Sequence, residues 1–388
     1  MLQRIRFSIC LVLAVLAGGS ASAASLSGRT VSPPQVAFDT KSQACERDDI
    51  PDGGAIAFRD FNNTVHMFSG HWVVRANIGP NLNQLHHTCE VVFRSNRNPN
   101  PADFQHYSWF TRFYTADGRN IAMSMHDEFH GYQAPGMCSV ASARPGRDCF
   151  WVTTTYSVSH DGGYSFSEPE PPRNLIASVP YRFSRDISSP VGYGGLSSIV
   201  RMNSYFYAMM SAFKYEAQPA GNCVLRTTDP FDPKSWRAWD GSGFNVQFVD
   251  PYRETVADPA SHVCAPVAPR ELSEMGTLRF STTANLFVRT ELARNREFGE
   301  PGIYLTTSSD LIHWSPPTLL LSNQDMLAHE PPGSWYYLYP SLLDPASTDR
   351  NFTTIGDNPY LYYVRLDRQH GPYVRVVERQ TIHLSLGG

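Results

Sequence analysis

Hydrophobic positions in this chain fall in short β-branched and aromatic runs, each closed by Gly, Asn, Asp or Pro. The clearest run is Phe150-Trp151-Val152-Thr153-Thr154-Thr155, continuing to Ser159 and followed by Asp161-Gly162-Gly163 and Phe166. It predicts a strand running into a tight turn, with a buried aromatic beyond. Gly tolerates positive φ, and Asp can bond its own backbone. The same order recurs. Tyr304–Ser308 leads to Asp310 and Trp314, and Val224–Thr228 leads to Asp229-Pro230, then Trp236 and Trp239. A weaker copy runs Val91–Ser95, with Asn96 in place of Asp and Phe104 as the later aromatic. No long amphipathic helical pattern is present.

The turn residues 96, 161, 229 and 310 stand 65, 68 and 81 positions apart. Self-similarity at such a period marks a repeat fold. Five segments can be drawn. The first has strands at Ala55–Asp60, Thr64–His71 and Cys89–Ser95. The second has Tyr107–Tyr114, Asn120–Phe129 and Cys149–Ser159, and the third Leu196–Met202, Tyr205–Lys214 and Cys223–Thr228. The fourth has Met275–Thr282, Asn285–Arg294 and Gly302–Ser308, and the fifth Tyr339–Leu343, Pro359–Arg368 and Pro372–Arg379. Adding a strand after each turn gives an all-β five-bladed β-propeller of four-stranded antiparallel blades over residues 45–388. Gln380–Leu386 is expected to pair with the first blade. A β-sandwich is the alternative, and the recurring unit argues against it.

The N-terminus changes the picture of compartment. Arg4 and Arg6, the apolar run Ile9–Ala17 and Ala21-Ser22-Ala23 read as a signal peptide over 1–23. The apolar run is too short to span a bilayer. Residues 24–44 read as an extended lead-in. The chain is expected to be secreted or periplasmic, with no integral membrane segment once the signal is removed. Seven cysteines are present; six follow the signal, and an even count in an exported chain favours disulfides. Nearness pairs Cys138 with Cys149. Blade adjacency suggests Cys45–Cys89 and Cys223–Cys264. Zinc is the rival, but no matching Cys or His spacing appears. The net charge of −4 has no basic cluster behind it, so no nucleic-acid surface is expected. Aromatic residues make up 12% of the chain, which suits stacking platforms for a ligand.

In a propeller the starts of the inner strands and the loops joining second to third strands meet on one face, and function concentrates on such loops. That face gathers Asp52, His71, Lys214, Glu274, Tyr339, Arg365 and the segment His126-Asp127-Glu128-Phe129-His130. On a strand, His126, Glu128 and His130 share one side while Asp127 and Phe129 share the other. Three readings stay open for this cluster: a metal site, a hydrogen-bonded loop, or a substrate site with Glu128 as acid and His126 orienting a hydroxyl. Asp52 is either a turn residue in Pro51-Asp52-Gly53-Gly54 or a channel carboxylate. Glu274 is either a solvated loop carboxylate or a site residue. Arg365 either holds a ligand or pairs with a local acid.

The stretch Ser159–Phe166 resembles the Asp-box of sialidases. With Thr227-Thr228-Asp229-Pro230 and Thr307-Ser308-Ser309-Asp310-Leu311-Ile312-His313-Trp314, the chain resembles the five-bladed propeller glycoside hydrolases, the arabinanase/β-xylosidase and invertase/levanase groups. The resemblance spans most of residues 50–380. It implies catalytic carboxylates at the channel mouth, with Asp52 in the first-blade position and Glu274 similarly placed before the fourth. No cofactor is expected. The third blade departs, since Val191-Gly192-Tyr193-Gly194-Gly195-Leu196 has no Asp. The expected catalytic residues are Asp52, Glu128 and Glu274; the expected ligand contacts are His71, His126, His130, Lys214, Tyr339 and Arg365. The ligand is a glycan or small molecule, either hydrolysed or only bound, and a metal-assisted hydrolase or lyase is a weaker alternative.

Overall fold

The computed structural model describes residues 25–267, 276–293, 298–323, 335–367 and 371–386. The signal segment 1–23 and Glu274 lie outside them. Helix among the described residues is confined to Thr40–Gln43 and two 3₁₀ turns, Pro233–Ser235 and Pro259–His262. The rest of the regular structure is strand, arranged in five sheets of four or five strands and one two-stranded sheet.

The second sheet shows the common plan. Tyr107–Tyr114, Ile121–His130, Phe150–Ser159 and Leu175–Ala177 pair antiparallel in chain order, and Val191–Gly192 adds a short parallel edge. The third repeats it with Val200–Met202, Tyr205–Ala212, Gly221–Thr227 and Arg237–Ala238. The fourth uses Leu278–Ser281, Leu286–Ala293, Gly302–Ser308 and Thr318–Ser322. In the fifth, Trp335–Leu343, Tyr360–Asp367 and Arg375–Leu386 are completed by Leu26–Thr30 from the other end of the chain. Gln35–Asp39 also pairs with Arg375–Leu386. Within the segment read as a lead-in, two strands are thus built into a sheet and the helix Thr40–Gln43 follows them. Residues Gln380–Leu386 continue the third strand of the fifth sheet instead of pairing with the first.

The first sheet departs from its reading in one strand. Ile56–Arg59 and Val65–Phe68 pair as expected, but their next neighbour is Asn77–Gly79, followed by His86–His87. The Val91–Ser95 run contributes only Phe93–Arg94, which pairs with Val73–Val74 in the two-stranded sheet.

Strand alternation sends successive side chains into different cores. Ile121, Met123 and Met125 pack with Phe58, Phe68 and Phe110 between the first and second sheets. Ala122 faces the other way, with Ala208 and Met210 between the second and third. Met209 packs with Val224 and Phe287 between the third and fourth. Val288, Leu342 and Met67 share the remaining core, which joins the fourth, fifth and first. All three disulfides form: Cys45–Cys89, Cys138–Cys149 and Cys223–Cys264.

The repeated turns have a common bonding pattern. Asp161 accepts from the Tyr164 and Ser165 amides, and Ser159 Oγ donates to it. Asp310 accepts from the Ile312 and His313 amides, with Ser308 in the place of Ser159. Asp229 accepts from the Phe231 amide. The weak fourth copy differs, since the Asn96 side chain donates to Glu168 at 2.6 Å. Asp161→Ala should cost about 1–2 kcal/mol, because the amides it holds lose a charged acceptor. A shift in the urea midpoint would measure this, and an unchanged midpoint would mean that the turn stands without its aspartate.

Candidate functional site

The turn Pro51-Asp52-Gly53-Gly54 enters the first sheet, tied by the Asp52 amide to the Ser69 carbonyl at 3.0 Å. This aims the Asp52 carboxylate into a cavity of about 310 Å³. Trp109, Arg112, His126, Glu128, Gly194, Gly195, Phe213 and Tyr339 also line it. Asp52 is firmly held. Tyr339 donates to Oδ1 at 2.8 Å and Trp109 Nε1 to Oδ2 at 3.3 Å, and the Arg375 guanidinium forms an ion pair with Oδ1. His71 Nε2 stands 3.7 Å from Oδ2. Burial alone would raise this carboxyl, but Arg375 and His71 outweigh it, and the net effect lies below the ordinary carboxylate value.

Glu128 is the second carboxylate. Alternation along Ile121–His130 puts His126, Glu128 and His130 on one side, and the three side chains meet. His126 Nε2 lies 2.9 Å from Oε1 and His130 Nε2 2.7 Å from Oε2. The Gly195 amide donates to His126 Nδ1 at 3.2 Å, so Nε2 carries the proton and donates to Glu128. Burial pushes Glu128 up, the two imidazoles pull it down, and they prevail. The Nε2 atoms a metal would take are both turned to Glu128. A separate group, Cys45, Asp49 and His87, has ligand atoms within 4.8 Å of one another, but the Cys45 sulfur is bonded to Cys89.

The wall beside His126 is made of glycine for want of space. A Cβ at Gly195 would come within 2.2 Å of Thr111, and one at Gly194 within 2.4 Å of Ser211 Oγ. The segment that lacked an aspartate thus supplies backbone instead, and its amide fixes His126.

The remaining residues read as ligand contacts divide. Tyr339 and His126 line the cavity. His71 and His130 stand behind it: His71 is buried against Asp52, and the His130 ring is sandwiched between Tyr107 at 4.6 Å and Tyr132 at 5.2 Å. Lys214 is exposed and outside the lining; Phe213 takes the wall instead. Arg365 is also outside it, paired with Glu378 at 2.8 Å and lying 3.8 Å over the Trp335 ring. That places it in the local-acid alternative. Trp109, Arg112 and Arg375 were missed. Trp109 and Arg112 sit two and five residues into an ordinary-looking strand, and Arg375 comes from the far end of the chain.

On the hidden side of the same strand, Asp127 faces Glu168. Ser108 Oγ lies 2.9 Å from Asp127 and 3.0 Å from Glu168, and it has one proton to give. Burial raises both carboxyls. The nearby Glu168 charge holds Asp127 well above its ordinary value, and Glu168 is pushed up to about 7.

No protein-family model matches the chain. No curated relative matches it either. Solved structures similar in outline are glycoside hydrolases of the kind the sequence resembles. An endo-arabinase from Bacteroides thetaiotaomicron VPI-5482 is 9% identical, with a TM-score of 0.49 over 91% of this chain and 98% of that one. A thermostable family-43 glycoside hydrolase is 9% identical, with a TM-score of 0.48 over 90% and 96%. An α-L-arabinofuranosidase from Podospora anserina, in complex with cellotriose, is 10% identical, with a TM-score of 0.45 over 92% and 95%. These likenesses assign no activity to this chain.

Proposed function

We propose that the chain is an exported, carbohydrate-binding five-bladed β-propeller that takes a sugar in the cavity between Asp52 and Glu128. The cyclic order of the cores supports the blade reading, since each sheet packs on the next and the fifth returns to the first. The three disulfides support an oxidising compartment.

One observation carries the binding reading. Both carboxylates on the cavity wall are ionised and already fixed by protein donors. Asp52 accepts from Trp109, Tyr339 and Arg375, and Glu128 from His126 and His130. Each keeps lone pairs for a sugar hydroxyl, since a carboxylate has about four acceptor sites. Trp109 adds an aromatic wall for the C–H face of a ring. Hydrolysis needs one carboxyl held protonated. Among the described lining residues, none is raised.

Glu128→Gln should weaken glycan binding by about tenfold or more, because a hydrogen bond to a charged group becomes one to a neutral group. A glycan array followed by calorimetry on the best ligand measures it. Affinity equal to wild type would remove the sugar from this wall. Hydrolysis is the second reading, favoured by the rigid, ionised Asp52, which suits a base or nucleophile; Glu274 remains the sequence candidate for the acid. Turnover by wild type that falls about 10²-fold in Asp52→Asn would support it over simple binding.

A further inference from the structure

Two arginines sit inside the molecule without an acid to pair with. Arg112 is 5% exposed and Arg279 is 2% exposed, and among the described residues no carboxylate forms an ion pair with either. Arg112 comes from the second sheet. Its guanidinium lies under Gly54, where a Cβ would stand 3.3 Å from Nη2, so it forms part of the floor of the larger cavity. One nitrogen donates to the Thr111 carbonyl, while Nε is buried with no partner. Arg279 comes from the fourth sheet. It donates to the Leu342 carbonyl at 2.8 Å, to the Leu278 carbonyl at 3.0 Å and to Ser198 Oγ.

The two cations share a second, smaller cavity of about 10 Å³, two to three residues further along the inner strands. Ser198, Asn351 and Thr353 complete its polar lining. Because Ser198 Oγ accepts from Arg279, its own hydrogen is left to give. The carboxylate whose field acts on Arg279 is Asp349, but it is spent on the Asn351 and Thr353 amides and the Thr353 hydroxyl. Burial pushes Arg112 down to about 10, and burial with the field of Arg112 pushes Arg279 to about 9. Both stay cationic at neutral pH, so two like charges face one confined, donor-lined space. Uncompensated buried charge is costly, and an anion between the two guanidiniums would turn repulsion into attraction.

We propose that the smaller cavity binds a single chloride ion between Arg112 and Arg279. The volume is at the lower limit for a single water-sized guest; chloride is slightly larger, so the two guanidiniums part a little to admit it, and carboxylate, phosphate and sulfate are larger still. The ion fixes the Arg112 side chain from below, and with it the floor of the sugar cavity. The proposal does not depend on what the larger cavity binds.

Bromide substitutes for chloride and is visible by anomalous diffraction. Crystals of the full mature chain grown in sodium bromide should show one buried anomalous peak between Arg112 and Arg279. Unfolding in sodium bromide should shift the folding equilibrium saturably relative to sodium methanesulfonate at equal ionic strength. The shift should reach about 100-fold when bromide is at about 100 times its Kd. Arg279→Met should lose this difference between the two salts. If that variant does not fold, the wild-type diffraction and salt comparison still decide. A buried site without anomalous signal in bromide, or equal unfolding in the two salts, overturns the proposal.

Discussion

Arg375→Met is expected to destabilise the folded chain by about 3 kcal/mol at pH 7. Arg375 and Asp52 are 10% and 17% exposed at the side chain, so neither charge is well served by water. Removing the guanidinium leaves Asp52 with Tyr339, Trp109 and His71, none a permanent cation. The pH dependence carries a sign. Asp52 has its native pKa below the ordinary 3.8, so its stabilisation is present above that value and is lost as pH falls through the native one. In the variant, burial acts without its main opponent and the native pKa rises, so the acid-side loss shrinks and the stability gap between the two proteins narrows as pH falls. Urea unfolding of both proteins at pH 4 and pH 7 measures this. A difference under about 1 kcal/mol at pH 7 would mean that the pair is not what holds this turn.

Glu168→Gln should do the opposite and stabilise the chain at alkaline pH. Glu168 is raised from 4.5 to about 7, chiefly by burial, despite the bonds from Ser108 and Asn96. A carboxyl raised in the native state keeps a proton that the unfolded chain has lost. Native stability therefore falls as pH rises from about 4.5 to about 7, and is flat beyond. A tenfold change in proton affinity is worth about 1.4 kcal/mol, so the whole span is worth about 3 kcal/mol. Glutamine at 168 can still donate to or accept from Ser108 and Asn96 without the charge. The variant should match wild type near pH 4 and exceed it by up to about 3 kcal/mol at pH 8. Asp127 shares Ser108 with Glu168, so the two titrate as a pair, and Asp127→Asn should recover part of the same gain. A variant less stable than wild type at pH 8 would show that the ionised carboxylate is needed.

What the chain reveals on its own follows from distance along it. The His126, Glu128 and His130 cluster was legible because strand alternation is local, and any strand there turns the three side chains together. The Asp161 and Asp310 turns were legible for the same reason, since donors and acceptors lie within a few residues. The surroundings of Asp52 were not. Tyr339 and His71 were placed on the same face as Asp52 but not against it, while Trp109 and Arg375 come from the second and fifth sheets, and nothing in their own segments marks them as its partners. Arg365 and Arg375 illustrate the difficulty. Both sit on strands of the fifth sheet, yet one meets Glu378 across the ladder and the other reaches the cavity. The third strand of the first sheet was misplaced because Asn77–Gly79 is short and lacks a β-branched run, while Val91-Val92-Phe93 has the apolar signature and goes to a separate pairing. The raised pair Asp127 and Glu168 was invisible because burial, not residue order, makes it unusual.

The strand Leu26–Thr30 runs antiparallel to the end of Arg375–Leu386, with Leu26 opposite Leu386 and Thr30 opposite Ile382. Tension applied through those two ends therefore loads the ladder at one extremity. Its bonds open one after another, as in a zipper, instead of resisting together in shear. Gly28 sits in that strand against Leu305, Leu320 and Leu384, so peeling it away uncovers an apolar surface on the fourth and fifth sheets. A molecule held by both ends would yield first at this seam under small force, while the four sheets whose strands lie close together in the chain stay folded.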